Sequence, residues 1–388
     1  MMKIDDFFIK DTIEINWDFV WKLPHFTEMR NTQQNPRWHM EGTAKDHTLL
    51  VCKNMSQFVN EHYSQCTLER QRLLMLSALF HDIGKPSTTF LGEKDNQWHS
   101  YGHENVGEKL TREMLWDWPM YQREYICNMV KYHMSPLFFQ KQKNPKSVVR
   151  KMVSILPYSD LYYLKMADLL GALQNPECST KERDIEILKA FYEIGETLSL
   201  ECLPFTLNAF KEDGKGFSLT SISPDNKEQK YGKPTIYVMI GLPGSGKNTT
   251  ITNNPSLKNS VVLSRDDIRI ELGYCSEGEK IVGTEKQEKK VTEVFDARMK
   301  QALEDGKDVV VNNINLSAKR RKALHNQWGK YKPNWRYIYV EAPTLEDNLK
   351  RRDGQISPKI FKDMIQRFDF PDIFECDYLT IIKQNKDE

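Results

Sequence analysis

Hydrophobic residues in the first half of the chain recur at helical spacing. In the stretch that ends at Phe80, for example, Leu73, Leu76 and Leu79 lie three or four positions from one another or from Phe80, which is typical of a buried helix face. The same spacing predicts helices over residues 46–63, 67–80, 103–116, 120–134, 160–173 and 180–200. We therefore predict an all-α domain over residues 1–210.

The second half contains short, nearly continuous apolar runs separated by helical stretches. The runs are residues 235–240, 260–264, 308–313, 335–341 and 378–383. Apolar strands that alternate with helices are typical of a parallel sheet covered on both faces, so we predict an α/β domain with a mostly parallel sheet over residues 235–388. Residues 211–234 are rich in glycine, serine, proline and lysine, which predicts a linker or surface loop.

Composition narrows the class of protein without identifying it. The 388 residues suit two domains, and the balance of 55 basic against 54 acidic residues excludes a bulk polycation. The seven scattered cysteines favour reduced thiols. The N-terminal stretch carries acids where a signal peptide needs an apolar run, and no segment approaches the roughly 18 apolar residues of a membrane span. We therefore expect a cytoplasmic protein with no membrane partner.

The first apolar run of the second half leads directly into GLPGSGKN, residues 241–248. This matches the G-x-x-x-x-G-K core of a phosphate-binding loop between a strand and a helix. The expected ligand is a nucleoside triphosphate, ATP or GTP, with Mg²⁺. Asn248 stands where a Ser or Thr hydroxyl usually meets Mg²⁺; its amide oxygen is a suitable hard ligand, with Thr249 in reserve. The nucleotide-binding candidates are Gly241, Gly244, Ser245, Gly246, Lys247, Asn248 and Thr249.

Three further motifs follow this loop in order: SRDDIR (264–269), NNINLSAKRR (312–321) and NLKRRDGQISP (348–358). With the loop, they resemble the phage-type 5′-OH polynucleotide kinase family over residues 235–388. The resemblance implies that Asp266 is the general base and that Arg269 grips a substrate phosphate. Phosphoryl transfer needs positioning, charge neutralisation and a carboxylate to take the hydroxyl proton, which suits both assignments.

The same resemblance assigns the remaining candidates of the kinase site. Arg351 corresponds to a lid arginine that would neutralise the phosphates in the transition state. The family's second lid arginine falls near Gln355 in this sequence, and we expect Arg352 to substitute for it; Lys247 is the further catalytic candidate. Asn313, where better-known members carry Asp, and Asn315 are substrate-binding candidates. The basic run 319–322 suits either a nucleic-acid backbone or a solvated helix face.

The first half ends an apolar helix with FHDIGKP, residues 80–86, in which His and Asp are adjacent. Both side chains are first-row metal ligands. With histidines in DHTLL, YGHEN and KYHMSP and the aspartate of KMADLLG, the set resembles HD-domain metal phosphohydrolases, especially the HD domains attached to tRNA nucleotidyltransferases. The resemblance implies a site for one or two transition-metal ions (Mn, Ni, Co, Fe or Zn), with Lys85 binding the phosphate. The predicted ligands are His47, His81, Asp82, His103, His133 and Asp168; His25, His39, His62 and His99 are interpreted as structural or surface residues.

An HD module ahead of a polynucleotide kinase module is similar to bifunctional end-healing enzymes. The resemblance implies a 5′-OH kinase joined to a 2′,3′-cyclic phosphodiesterase and 2′(3′)-phosphatase. Its partners would be RNA or DNA ends carrying a 5′-OH and a 3′-phosphate or 2′,3′-cyclic phosphate, with a ligase acting downstream. Two alternatives stay open: a small-molecule kinase fused to a nucleotide phosphohydrolase, and a nucleotide-gated binding module with a non-catalytic HD domain.

Overall fold

The computed structural model describes residues 2–199, 217–222, 232–276, 283–352 and 355–384, with only the backbone described for 217–222. The chain divides into two compact units, Met1–Lys211 and Glu212–Glu388. No helix in the described ranges is long and apolar enough to cross a membrane.

The N-terminal unit is helical, as predicted, apart from a two-stranded antiparallel hairpin, β1 (Phe90–Leu91) and β2 (Trp98–His99). All six predicted helices are present. The spacing did not predict α9 (Pro145–Ile155), which is longer than the other helices that the prediction missed. The helices are α1 (Trp17–Val20), α2 (Pro24–Met29), α3 (Ala44–His62), α4 (Leu68–Phe80), α5 (Lys85–Thr88), α6 (His103–Met114), α7 (Met120–Tyr132), α8 (Ser135–Phe138), α9 (Pro145–Ile155), α10 (Tyr158–Gly171) and α11 (Lys181–Ser199).

Helix α4 lies at the centre of this unit. Every residue from Arg72 to Phe80 is buried, as expected of a helix that is covered on all sides. It packs against α3, α7 and α10, whose apolar side chains join it in one core. The residues at the C-terminal end of α4 are therefore held inside the unit, next to the helices that carry the other predicted metal ligands.

The C-terminal unit is built on a six-stranded sheet in the order β3-β8-β7-β4-β6-β5. All neighbours are parallel except β3 and β8, which are antiparallel. The predicted α/β fold with a mostly parallel sheet is therefore confirmed. The strands are β3 (Phe217–Ile222), β4 (Thr235–Ile240), β5 (Val261–Leu263), β6 (Val309–Val311), β7 (Asn334–Glu341) and β8 (Tyr378–Lys383), and the helices are α12 (Lys247–Asn253), α13 (Arg265–Glu271), α14 (Glu285–Glu304), α15 (Ala318–Trp328), α16 (Leu345–Lys350) and α17 (Pro358–Gln366).

The interval 211–234, which we expected to be a linker or loop, contains the strand β3. Its backbone pairs with β8 from Phe217 opposite Lys383 to Ile222 opposite Tyr378. An edge strand needs hydrogen bonds on one side only, and a partner distant in sequence supplies them, so local composition did not reveal it. Residues 211–216 and 223–231 lie outside the described residues.

Candidate functional site

The predicted metal ligands of the N-terminal unit converge at the end of α4. His81 and Asp82 follow α4 directly, His47 lies on α3, and Asp168 lies on α10. His103 is the first residue of α6, and His133 follows α7. All six residues are buried, so helices from across the unit place one polar cluster inside its core.

Asp82 is the centre of this cluster. Its carboxylate oxygens lie 3.1 Å from His81 Nε2, 3.3 Å from His103 Nε2, 3.6 Å from His47 Nε2 and 4.0 Å from His133 Nε2. Asp168 Oδ1 is 2.9 Å from His47 Nε2. Burial opposes ionisation of Asp82, but the charges of His81 and Lys85 hold its pKa well below the usual value, so the carboxylate is ionised and able to bind a cation.

The imidazoles are oriented by backbone carbonyls. The Nδ1 atoms of His81, His103 and His133 lie 2.8 Å from Ala78 O, 2.8 Å from Ser100 O and 2.6 Å from Val130 O, respectively. With Nδ1 donating to a carbonyl, each Nε2 faces Asp82 and would ligate a cation bound there by giving up its proton, the arrangement typical of metal-binding histidines. His81 Nε2 is buried without a hydrogen-bond partner, and the buried Asp82 Oδ2 is paired only with charged or ionisable neighbours such as Lys85 Nζ at 2.6 Å. These residues therefore fit a divalent transition metal.

Glu41 is a functional candidate that sequence reasoning missed. Its Oε1 is 2.8 Å from His47 Nδ1 and 2.7 Å from His39 Nδ1, and its Oε2 accepts a hydrogen bond from the backbone N–H of Leu173. Burial opposes its ionisation, but the bonds from the two histidines hold its pKa well below the usual range. The carboxylate therefore fixes the orientation of His47 in the way the backbone carbonyls fix the other three imidazoles.

Replacing Glu41 with Ala is expected to weaken metal binding by about 10- to 100-fold, the usual cost of removing a group that orients a ligand. Glu41→Gln keeps an acceptor oxygen and should lose less. Metal content after dialysis against a graded chelator measures both. Glu61→Ala, which removes an exposed carboxylate beside His62, is the matched control. Equal retention of metal by Glu41→Ala and by wild type would contradict the role assigned to Glu41.

Lys85 lies inside the cluster, as its assignment to a bound phosphate requires. Its Nζ is 2.6 Å from Asp82 Oδ2 and donates a hydrogen bond to Gln34 Oε1 at 2.7 Å. On the opposite side, Lys165 Nζ lies 2.5 Å from Asp168 Oδ2. Two ammonium groups therefore sit beside the carboxylates, where they can neutralise an anionic substrate as well as the acids.

The loop 241–246 of the C-terminal unit has the backbone of a phosphate cradle. Gly244 and Gly246 have φ values of 74° and 95°, in the region that disfavours side chains. A Cβ at Gly244 would lie 2.6 Å from Asn348 O, and Ser245 between the glycines is buried. Gly241 precedes them at the end of β4. The chain therefore needs glycine here to bring backbone N–H groups together at the start of α12.

Lys247 is the first residue of α12 and closes the loop. Its Nζ donates hydrogen bonds to Gly241 O and Leu242 O, both at 2.9 Å. Burial and the charge of Arg352 lower its pKa to about 7, and the carboxylate of Asp266 acts in the opposite direction. Asp266 and Arg352, which are distant in sequence, are therefore close enough to Lys247 to act on its charge, as the predicted site requires.

Asp266 and Arg269 lie together on the first turns of α13. Arg269 Nη1 donates to Asp266 Oδ1 at 2.6 Å, and its Nε and Nη2 donate to the two carboxylate oxygens of Glu288, each at 2.7 Å. The hydrogen bond from Arg269 lowers the pKa of Glu288 to about 2. Arg265 also binds Glu288. Glu288, which the sequence did not single out, therefore anchors the guanidinium next to the candidate base.

The lid candidates are attached to the loop by Asn348 on α16, another residue that sequence reasoning missed. Its buried Nδ2 donates to Pro243 O at 2.9 Å. Arg351, just after α16, has Nη1 3.4 Å from Gly244 O. The structure thus brings Arg351 to the phosphate loop, and the positive charge of Arg352 lowers the pKa of Lys247; their assignment as charge-neutralising groups stays a prediction.

Asn248 and Thr249 are exposed on α12. The Asn248 Oδ1 accepts a hydrogen bond from Asn312 Nδ2 at 2.9 Å, so its oxygen is already oriented towards the carboxyl end of β6. We expect Asn248→Ala to lower nucleotide-dependent phosphate transfer by more than about threefold through loss of a Mg²⁺ ligand. Titration of activity with Mg²⁺ checks the cause. Smaller losses in both Asn248→Ala and Thr249→Ala would contradict the assignment.

The two asparagines assigned to substrate binding occupy different positions. Asn313 Oδ1 accepts the backbone N–H of Arg265 at 3.3 Å, beside the candidate base. Asn315 is 1% exposed, and its Nδ2 donates to Met239 O at 2.8 Å. The structure therefore does not bring Asn315 to the mouth of the loop; its amide instead joins the chain after β6 to β4.

The basic run 319–322 is not one uniform surface. Arg321 is fully buried, its Nε and Nη2 bind Glu375 at 2.7 and 2.8 Å, and its Nη1 donates to backbone carbonyls such as Leu316 O. Neither interpretation made for the run fits this residue. Lys319 and Arg320 are exposed at the surface, and partial burial together with the charges of Arg265 and Arg269 lowers the pKa of Arg320.

Comparisons with known proteins agree with this division. Residues 45–156 match the HD domain family, and residues 236–371 match an AAA domain family (AAA_33). A CC-adding tRNA nucleotidyltransferase of Thermus thermophilus is 33% identical over 25% of this chain and 22% of its own length. A bifunctional uridylyltransferase/uridylyl-removing enzyme of Legionella pneumophila is 27% identical over 40% and 18%.

Other similarities cover less than two thirds of the related chain as well. An L-seryl-tRNA(Sec) kinase of Methanococcus maripaludis is 28% identical over 35% of this chain and 53% of its own length. A solved structure described as "Structure of the Pnkp1/Rnl/Hen1 RNA repair complex" is 21% identical, with a TM-score of 0.30, over 38% of this chain and 46% of that chain. The chain covers about a fifth to a half of these curated relatives. The two family matches show that the chain combines an HD domain with a P-loop, kinase-like domain, which confirms the predicted pairing of the two domain types.

Proposed function

We propose that this protein heals broken RNA ends, and DNA ends where they are offered. The P-loop unit transfers the γ-phosphate of an NTP to a 5′-OH end. The HD unit removes a 3′-phosphate or opens and removes a 2′,3′-cyclic phosphate. The observation that carries the proposal is that one chain holds both a glycine loop closed by Lys247 and a buried cluster of histidines around Asp82, which suit phosphate transfer and phosphate removal respectively. The products, a 5′-phosphate and a 3′-OH, are what a ligase joins.

In the P-loop site each residue has a separate task. The loop N–H groups and Lys247 hold the β- and γ-phosphates. Asp266 accepts the proton of the attacking 5′-OH, while Arg269, held by Glu288, binds a neighbouring phosphate of the acceptor strand. Arg351 and Arg352 neutralise charge as the phosphoryl group moves. When bound, Mg²⁺ at Asn248 would offset the charge between the phosphates.

In the HD site the chain supplies ligands and substrate contacts. His47, His81, Asp82, His103, His133 and Asp168 would hold one or two divalent transition metals, which when bound polarise a phosphoryl group and lower the pKa of water. Lys85 offers its ammonium to a phosphoryl oxygen at the edge of this cluster. Glu41 and the three backbone carbonyls keep the imidazoles in place throughout.

A second candidate for the kinase half is supported by one comparison. The similarity to an L-seryl-tRNA(Sec) kinase favours an acceptor hydroxyl on a small group attached to tRNA. Both candidates require the same carboxylate and the same phosphate loop. They differ in the acceptor, because a 5′-OH end offers Arg269 a phosphodiester of the same nucleotide, whereas the hydroxyl of a seryl group attached to tRNA is separated from the nearest phosphodiester by the ester and the terminal ribose.

Transfer of labelled γ-phosphate from ATP and from GTP tests the kinase half, with 5′-OH RNA, 5′-OH DNA, seryl-tRNA and free serine as competing acceptors. We expect labelling of the 5′-OH oligonucleotides.

Phosphate release from RNA ending in a 3′-phosphate or 2′,3′-cyclic phosphate tests the HD half, and chelation followed by addition of Mn, Ni, Co, Fe or Zn identifies the metal. Preferential labelling of serine or seryl-tRNA, or hydrolysis unaffected by chelation, would contradict the proposal.

A further inference from the structure

A cleft of about 580 Å³ opens on the N-terminal unit. One wall is the segment 35–38, which contains Arg37 and Trp38. A second wall is the β1–β2 hairpin, through Gln97 and His99, and a third begins at Asn175. None of these residues belongs to the predicted ligand set, and neither the P-loop chemistry nor the HD chemistry described above uses them.

The first wall is attached at both ends to the HD cluster. Just before it, Gln34 Oε1 accepts a hydrogen bond from Lys85. Just after it, the ring centroid of His39 lies 4.7 Å from that of His47, and both imidazoles bind Glu41. A ligand in the cleft would therefore contact a segment whose ends touch the phosphate-binding lysine and a metal-binding histidine.

The other two walls are also continuous with ligand-bearing segments. The hairpin leads through Ser100, whose carbonyl oxygen lies 2.8 Å from His103 Nδ1. The third wall follows α10, which carries Asp168, and its Asn175 N–H donates to Arg37 O at 3.1 Å. All three walls of the cleft are thus continuous in sequence with segments that carry or contact the side chains of the HD cluster.

The side chains of the cleft have the chemistry of a nucleobase site. Arg37 Cζ lies 4.8 Å from the ring centroid of Trp38, which forms a flat, partly exposed surface. His99 is stacked on Tyr101 with 4.9 Å between centroids and 18° between planes, and Tyr101 is 71% exposed. Aromatic and guanidinium planes bind unstacked bases by stacking, and amides such as that of Gln97 bind base edges.

We propose that this cleft binds the terminal nucleoside of the strand whose phosphate lies at Asp82 and Lys85. The inference rests on the proposed phosphohydrolase function and specifies its substrate as a nucleotide end rather than any phosphomonoester. Trp38 provides a stacking surface, and the imidazole of His99, whose Nε2 lies 2.9 Å from Asp95 Oδ2, is a second aromatic plane in the lining. Stacking tolerates every base, so the cleft favours nucleotide ends over simple phosphate esters without selecting a sequence.

The test is equilibrium binding by calorimetry of adenosine 3′-monophosphate, adenosine and inorganic phosphate to the full chain. Trp38→Ala should weaken binding of the nucleotide by about tenfold or more, whereas Trp38→Phe, which retains a ring, should stay within about threefold. Binding of inorganic phosphate should be unchanged in both. Phe138→Ala removes an aromatic side chain that is 41% exposed on α8, away from the cleft walls, and is the matched control.

These measurements distinguish a failure of the nucleoside site from a failure of the proposed phosphohydrolase function. Equal affinity of Trp38→Ala and wild type for adenosine 3′-monophosphate would overturn the nucleoside site. Adenosine carries no phosphate, so its binding should weaken in Trp38→Ala and persist in Asp82→Asn, and that result supports the cleft even if wild-type protein releases no phosphate from RNA ending in a 3′-phosphate. Absence of that release with every metal tested would count against the phosphohydrolase function instead.

Discussion

Asp82→Asn is expected to abolish phosphate release by the HD unit and to remove its bound metal. Asp82 lies within 4.0 Å of four imidazole Nε2 atoms, and an amide offers a much weaker ligand than a carboxylate. Loss of a group that only orients a ligand costs about 10- to 100-fold in metal affinity or activity, so loss of this central ligand should cost at least about a hundredfold. Phosphate release and metal content measure the effect.

The same chain provides the control for correct folding of Asp82→Asn. Kinase activity belongs to the other unit and should be unchanged, and the helical circular dichroism should match that of wild type. Asp18→Asn, which removes an exposed carboxylate on α1, should affect neither metal content nor phosphate release. Hydrolysis by Asp82→Asn within a few-fold of wild type, or a full complement of metal, would show that the cluster does not hold the catalytic ion.

The elements of this fold that were predictable are those with a local signal. Helix α4 repeats leucine at helical spacing because it is buried, and β4 is continuously apolar because both faces of the sheet are covered. The order of the motifs placed the candidate ligands on separate helices, and packing of α3, α7 and α10 against α4 brings them together. The sequence therefore showed which side chains could bind a metal, but their positions relative to one another depended on how the helices pack.

The residues that could not be predicted act through contacts distant in sequence. Glu41 orients His47, Glu288 binds Arg269, and Asn348 holds the segment that carries the lid candidates against the phosphate loop. Asn348 opens the 348–358 motif, but neither it nor the two glutamates carried a signal of its role, because that role depends on a partner that only folding supplies. Arg321 shows the converse, because a run of four basic residues suggested a surface, yet this side chain is buried against Glu375.

Asp266→Asn is expected to lower transfer of the γ-phosphate to a 5′-OH end by about 10²- to 10⁴-fold, the usual contribution of a general base. The substitution removes the proton acceptor while leaving its surroundings in place, since Arg269 stays bound to Glu288 through two further hydrogen bonds. Nucleotide binding should change little because Lys247 and the loop glycines are untouched. Labelled-phosphate transfer and the dissociation constant for the nucleotide separate the two effects.

Asp267→Asn is the matched control, since it changes the adjacent carboxylate of the same motif. Both aspartates are exposed on the first turn of α13, so a general loss of negative charge near Lys247 would affect the two variants alike. A base must instead lie within hydrogen-bonding reach of the acceptor hydroxyl, which only one of two successive helical positions can satisfy. Equal losses in the two variants would therefore reduce Asp266 to an electrostatic role, and normal labelling by Asp266→Asn would refute its assignment as the base.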